Sequence, residues 1–264
     1  MDKRAQGSLE YLLLIGGAVA VAAIVVVLLL GVSSSGGSTS GTNATFLQAK
    51  NQAALAGISS GAIAYFNMDS KMPNSAVILG AGGAVTFNVD NSVRGKVTQI
   101  QNGSIRIDNV PANTTSGASN TVSMWMKYNE ASNWNWSFSW GNNYALYTFN
   151  NSSPNLGVST DIGDIVGAPF TQNTADWFHI VAVYPNAAPT IGNMKLYVNG
   201  SQLSPLSTNG TASQARNATS TVYISGNSGT DVRFLENAYV DDVMIFNREL
   251  TAAEVQSLYN YQRR

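Results

Sequence analysis

The sequence predicts a mainly β domain of two packed antiparallel sheets behind an N-terminal hydrophobic helix. Three observations predict it. Beyond about residue 61, short runs of alternating polarity are separated by turn signals such as NNSSPN, PNAAPTIGN and VNGSQ. Residues 12–30 form an apolar run without a charge. A single helical pattern, close to the C-terminus, interrupts the β signature, and strand without helix favours two stacked sheets. No repeat with a period of about 20 to 50 residues is present, which excludes a solenoid or propeller.

The apolar run Leu12–Leu30 is 19 residues long. At about 1.5 Å per residue it spans roughly 28 Å, close to the hydrocarbon thickness of a bilayer. Lys3 and Arg4 precede it and the next basic residue is Lys50, so the positive-inside bias places the N-terminus in the cytoplasm and the remainder outside. The run is longer than a secretory signal core, and no small-x-small site closely followed by a mature start is evident after it, which leaves a single-span anchor or an assembly helix. Gly16, Gly17, Ala18, Ala20, Ala22 and Ala23 narrow one part of it, as close helix packing requires.

The stretch KRAQGSLEYL, residues 3–12, carries polar identities that hydropathy does not explain. A basic pair, a small residue and then Gln-x-Ser-x-Glu-Tyr-Leu resemble the archaeal class III signal peptide of type IV pilin-like proteins. That resemblance implies cleavage between Ala5 and Gln6 by a prepilin-type peptidase, leaving residues 1–5 as the leader and 6–30 as a retained transmembrane or filament helix. Glu10 lies four residues after the new α-amino group of Gln6, one helical turn away, where it can neutralise that amine or a neighbouring subunit's.

GVSSSGGSTSGTNAT, residues 31–45, reads as a flexible tether, and FLQAKNQAALAGISS, residues 46–60, as a further linker with a short helix. The domain is expected over 61–264. Its expected strands are Ile63–Phe66, Ser104–Ile107, Thr121–Lys127, Trp136–Trp140, Tyr144–Phe149, Trp177–Tyr184, Met194–Val198, Val222–Ser225 and Tyr239–Phe246. Thr251 and Glu254 have capping-box spacing, and Val255 and Leu258 give a short apolar face, which predicts a closing helix of about two turns.

The segment YVDDVMIFNRELTAAEVQSLYN, with AYFNMD at 64–69, TVSMWMK at 121–127, DWFHIVAVY at 176–184 and KLYVNGSQ at 195–202, resembles laminin G-like, concanavalin A-like jelly rolls in order and spacing. The resemblance covers about 200 residues and departs at Ser70, where the family often has an acidic residue. It implies a two-sheet jelly-roll sandwich used for adhesion or for carbohydrate or protein binding. It also implies a structural Ca²⁺ near Asp69 and Asp241, with Asn67 adding a carbonyl, since hard oxygen ligands suit that ion. On the residues alone, Asp69 and Asp241 serve equally as turn caps.

Composition narrows the chemistry. The net charge is −1, which is not a nucleic-acid binder's balance. Charged residues make up 11% of the chain against about 25% in an average domain, and the polar, weakly charged surface this leaves resembles that of exported β proteins. No cysteine is present, so disulfides, thiolate metal sites and a cysteine nucleophile are excluded. His179 is the single histidine and shares a strand face with Trp177, Val181 and Val183, a packing position. There is no Glu-x-Asp-x-Glu pattern of the kind paired-carboxylate hydrolases on this scaffold use. The reading is not an enzyme.

Trp134, Trp136, Phe138 and Trp140 fall at period two. Exposed, they form a stacking platform for sugar rings; buried, they are sandwich core, which the polar residues between them favour. Sequons occur at Asn43, Asn102, Asn113, Asn135, Asn150, Asn151, Asn199, Asn209 and Asn217, all on the expected extracellular side. These readings converge on a pilin-like cell-surface glycoprotein with one N-terminal span. It works beside other pilin-like subunits and displays a jelly-roll module toward a surface glycan or protein, its bulk suiting a minor subunit. The alternatives are a monomeric anchored envelope protein and a glycan-active hydrolase.

Overall fold

A computed structural model describes residues 39–58, 60–72, 74–129, 135–148, 154–159, 165–171, 176–209, 214–227 and 233–263. The leader, Ala5, Gln6, Glu10, the apolar run and Trp134 lie outside them. Among the described residues no helix is long and apolar enough to cross a membrane.

The elements in chain order are α1 (Thr39–Leu55), β1 (Ala62–Phe66), β2 (Ser75–Asn91), β3 (Gly95–Ile107), β4 (Ser119–Tyr128), β5 (Asn135–Trp140), β6 (Tyr144–Thr148), β7 (Leu156–Ser159), β8 (Ile165–Ala168), β9 (Phe178–Pro185), β10 (Lys195–Val198), β11 (Ser201–Gln202), β12 (Ser207–Asn209), β13 (Val222–Ile224), β14 (Ala238–Phe246) and α2 (Ala252–Gln262). All the strand pairs are antiparallel, in the order β11-β10-β9-β4-β14-β3-β13-β5-β6-β7-β8-β12, with β1 on β14 and β2 on β3. The sheet curls so that its two halves share one core. Met124 and Met126 of β4 and Ile180 and Ala182 of β9 meet Phe138, Trp140, Leu146, Val158 and Val166 of β5 to β8. This is the jelly-roll arrangement expected from the sequence.

Strand alternation sends the other face of β9 and β14 outward. Val181, Val183, Met244 and Phe246 are covered there by Ala49 and Ala53 of α1 and by Val255 and Leu258 of α2. The compact unit that holds the sheet accordingly runs from Ala44 to Arg264. Residues 39–55, read as tether and linker, are helical because small alanines let α1 approach the sheet closely; burial outweighs the weak helix propensity of Thr, Ser and Gly.

α2 begins as expected. Thr251 is its N-cap, and both halves of the capping box with Glu254 are formed. It runs 11 residues rather than two turns. Its last turn is held by packing: the Tyr259 ring stacks on Trp125 at 5.7 Å, and Gln262 Oε1 accepts from Trp125 Nε1 at 3.2 Å. At β7 and β8 the backbones approach closely, and a Cβ added to Gly167 would lie 2.1 Å from the Leu156 carbonyl oxygen. Only glycine fits there.

Candidate functional site

Of the period-two aromatics, Trp136, Phe138 and Trp140 are core. Trp136, Phe138 and Trp140 are at most 1% exposed, and the alternate residues Asn135, Ser137 and Ser139 are also buried. They do not share one face as expected. Pairing of β5 with β6 slips between Trp136 and Phe138, which turns Trp136 away from the main core into a small cluster with Ala145, Tyr147 and Ile165. Neither Trp136 nor Trp140 can stack on a ligand. Asn135 is corrected with them: its Oδ1 accepts from Glu236 N–H and its Nδ2 is sealed inside, so no sugar can be carried there in the folded domain. Asn102, Asn199 and Asn209 are exposed, while Asn113 and Asn217 are half-buried. Asn150, Asn151 and the side chain of Asn43 lie outside the described residues.

A groove of about 410 Å³ opens instead at the end of α2, over the outward face of β4 and β9. Its exposed wall is aromatic. Trp177, just before β9, and Tyr259 of α2 are both half-buried, and both line the opening. Trp177 is held by its Nε1–H, which donates to Asn91 Oδ1 at 3.2 Å, and by the Tyr239 ring at 6.3 Å. Tyr259 is held by Trp125 beneath it. Polar groups surround the rings: Asp176 and Arg263 are exposed, and Asn199, at a left-handed turn (φ 51°), is fixed by accepting from His179 N–H at 2.9 Å. The Arg263 guanidinium lies 5.7 Å from the Tyr259 ring centre.

The floor of this groove is a buried cation. The side chain of Asn91 accepts from the N–H groups of Val93 and Arg94, both at 3.0 Å, and this turn between β2 and β3 aims Arg94 inward. Arg94 is 1% exposed. Its Nε donates to Asp241 Oδ2 at 2.5 Å, one terminal nitrogen to Asp242 Oδ2 at 2.6 Å and the other to the Gln262 carbonyl at 3.3 Å. The guanidinium lies 4.2 Å from the Trp125 ring centre and 5.5 Å from that of Trp177. Adjacent strand residues ordinarily face opposite ways. Here β14 bulges between Asp241 and Met244, and Asp242 takes a left-handed backbone (φ 46°), so both carboxylates converge on one arginine. Tyr65 donates to the other oxygen of Asp242.

This arrangement does not fit the expected calcium set. Asp241 faces a guanidinium. Asn67 and Asp69 bond each other in a turn, Nδ2 to Oδ2 at 2.9 Å. Among the described residues no three histidine, aspartate or glutamate side chains are gathered as a metal cluster.

His179 lies beneath the groove and is fully buried. Its Nε2 is 2.7 Å from Ser123 Oγ, and its ring packs 5.2 Å from Trp125 and 5.9 Å from Tyr259. Burial first, and the Arg94 charge second, push its pKa down to about 3. Among the described residues its Nδ1 has no hydrogen-bond partner. It occupies a buried packing position, the place its strand face predicted. Arg94, Trp177 and Tyr259 were not singled out by sequence reasoning. A lone arginine in the hairpin turn DNSVRG was the available signal for the first.

With the geometry in place, the family follows. Residues 101–256 match the concanavalin A-like lectin/glucanases superfamily, and the chain belongs to it. Residues 3–29 match the class III signal peptide. No curated protein matches the chain. Among solved structures, domain 4 of the GH43 extracellular arabinanase AbnA of Geobacillus stearothermophilus is 17% identical with a TM-score of 0.50, over 76% of this chain and all of that one. The sialidase of Trypanosoma rangeli is 12% identical with a TM-score of 0.54, over 84% of this chain and 38% of that one. At these identities the likeness is one of fold.

Proposed function

We propose that the protein is an exported, pilin-like surface subunit whose jelly-roll domain binds oligosaccharide in the Trp177–Tyr259 groove. The observation that carries the binding half is the pair of half-buried aromatic residues lining the groove, flanked by Asp176, Asn199 and Arg263. Flat apolar rings with a few fixed polar groups around them suit a sugar, which has an apolar ring face and hydroxyls at its edge. The arabinanase domain that shares the fold is known in complex with arabinotriose, which supports the ligand class.

The class III signal at residues 3–29 supports the display half. In this reading a prepilin-type peptidase removes residues 1–5, the apolar run stays in the membrane or a filament with other pilin-like subunits, and Glu10 matches the new amine. The domain faces outside as a minor subunit, with Asn102 and Asn209, exposed and not part of the groove lining, among the sequons open to glycosylation. N-terminal sequencing of native protein is expected to begin at Gln6; a start beyond Leu30 refutes retention of the helix.

The groove is tested by a glycan array, followed by titration of the best ligand. Trp177→Ala is expected to weaken binding about tenfold or more, the scale of one buried aromatic contact, with the melting temperature reported alongside. Undiminished binding by a folded Trp177→Ala variant removes the groove from the account.

A further inference from the structure

We infer that Arg94 is an internal cation that does the structural work the fold resemblance gives to calcium, so that the domain and its groove need no metal. Two acidic side chains from one strand converge at a site that is almost fully buried, and such charges must be neutralised. The neutralising group is covalently part of the chain. Arg94 meets Asp241 and Asp242 at 2.5 and 2.6 Å, and it is desolvated with them. A divalent ion bound through these oxygens would have to displace a guanidinium that is also fixed by the Gln262 carbonyl and by two indole rings. A guanidinium presents several N–H donors in a plane, which suits two carboxylates and a carbonyl approaching from different directions.

The bulge in β14 has the same logic. Left-handed backbone at a non-glycine residue is strained, and here it turns Asp242 to the side on which Asp241 already stands. The strain is offset by bringing a second acid to one cation. The arginine then links three elements, the β2–β3 turn, β14 and the last turn of α2, in the way a bound ion ties loops together. This inference concerns the floor of the groove and stands whether or not the groove takes a sugar.

The test uses the full-length protein in detergent, melted in about 10 mM Ca²⁺ and in chelator, a concentration above the millimolar Kd of weak extracellular calcium modules. The melting temperature is expected to agree within about 1 °C, whereas a structural ion well above its Kd would raise it by roughly 5–10 °C. A calcium-dependent rise beyond that agreement overturns the inference. A second comparison sets Arg94→Met beside the triple variant Arg94→Met, Asp241→Asn, Asp242→Asn. If the arginine is the counter-cation, the triple variant melts higher than the single one, because the orphaned charges have been removed with it. A lower melting temperature for the triple variant overturns the inference too.

Discussion

Truncating Arg94 to alanine is expected to destabilise the domain by about 3–5 kcal/mol, the range for removing one partner of a buried ion pair. The loss of a few contacts does not explain a cost of that size. It arises because Asp241 and Asp242, which are 1% and 3% exposed, keep their desolvation penalty when their partner is gone. The fall in stability is read from urea or thermal unfolding monitored by tryptophan fluorescence. Arg94→Lys is expected to recover only part of it, since an ammonium is a compact charge and does not reproduce the planar contacts to two carboxylates, a carbonyl and two indoles. A full recovery by lysine, or a cost below about 1 kcal/mol for alanine, contradicts a desolvated network.

The second large effect is loss of stability in mild acid, caused by His179. Its unfolded value lies at 6.5 and its folded value at about 3. Between those limits the unfolded chain takes up a proton that the folded chain refuses, so stability falls as pH falls, by up to about 1.4 kcal/mol per pH unit. The groups around the ring make the refusal credible: Ser123 beside Nε2, Trp125 and Tyr259 against the ring, and the charge of Arg94. The chain has one histidine, and its unfolded value is the one that falls near the top of the window from about pH 6.5 to 5. Melting temperatures are expected to decline through that window and to flatten in His179→Gln. A flat profile in the unmutated protein would show that the ring has access to water.

Much of the β architecture was legible because short amphipathic runs write their own period, and the closing helix was legible because its capping box is local. What failed to show in the sequence depends on contacts between distant residues. β2 was missed because LGAGGAV looks like a loop; its glycines sit where β2 is irregular against β3 and where Phe234 and the Asn102 carbonyl come close. α1 was read only as a short helix beyond residue 46, and its extension back to Thr39 was missed, because its stability comes from a sheet face that Ala49 and Ala53 approach, not from its own Thr, Ser and Gly. The core reading of the stripe was the favoured one, but one register slip sets Trp136 on a different face from Phe138 and Trp140, which no count of period two can reveal. Asp241 was singled out, but its partner lies 147 residues away in a turn. The aromatic wall of the groove is likewise divided between the start of β9 and the end of α2.

The position of β14 in the sheet has a consequence for how the chain acquires its shape. This strand lies near the end of the sequence, yet it is flanked by β1, β3 and β4, and it pairs Phe246 with Ala62 at the opposite end of the domain. Strands made early must therefore wait, with exposed edges, until β14 has been made before the sheet can close. Such non-local closure slows folding and prolongs exposure to misassembly. An exported chain of this topology stands to gain from a helper that shields those edges until synthesis and translocation are complete.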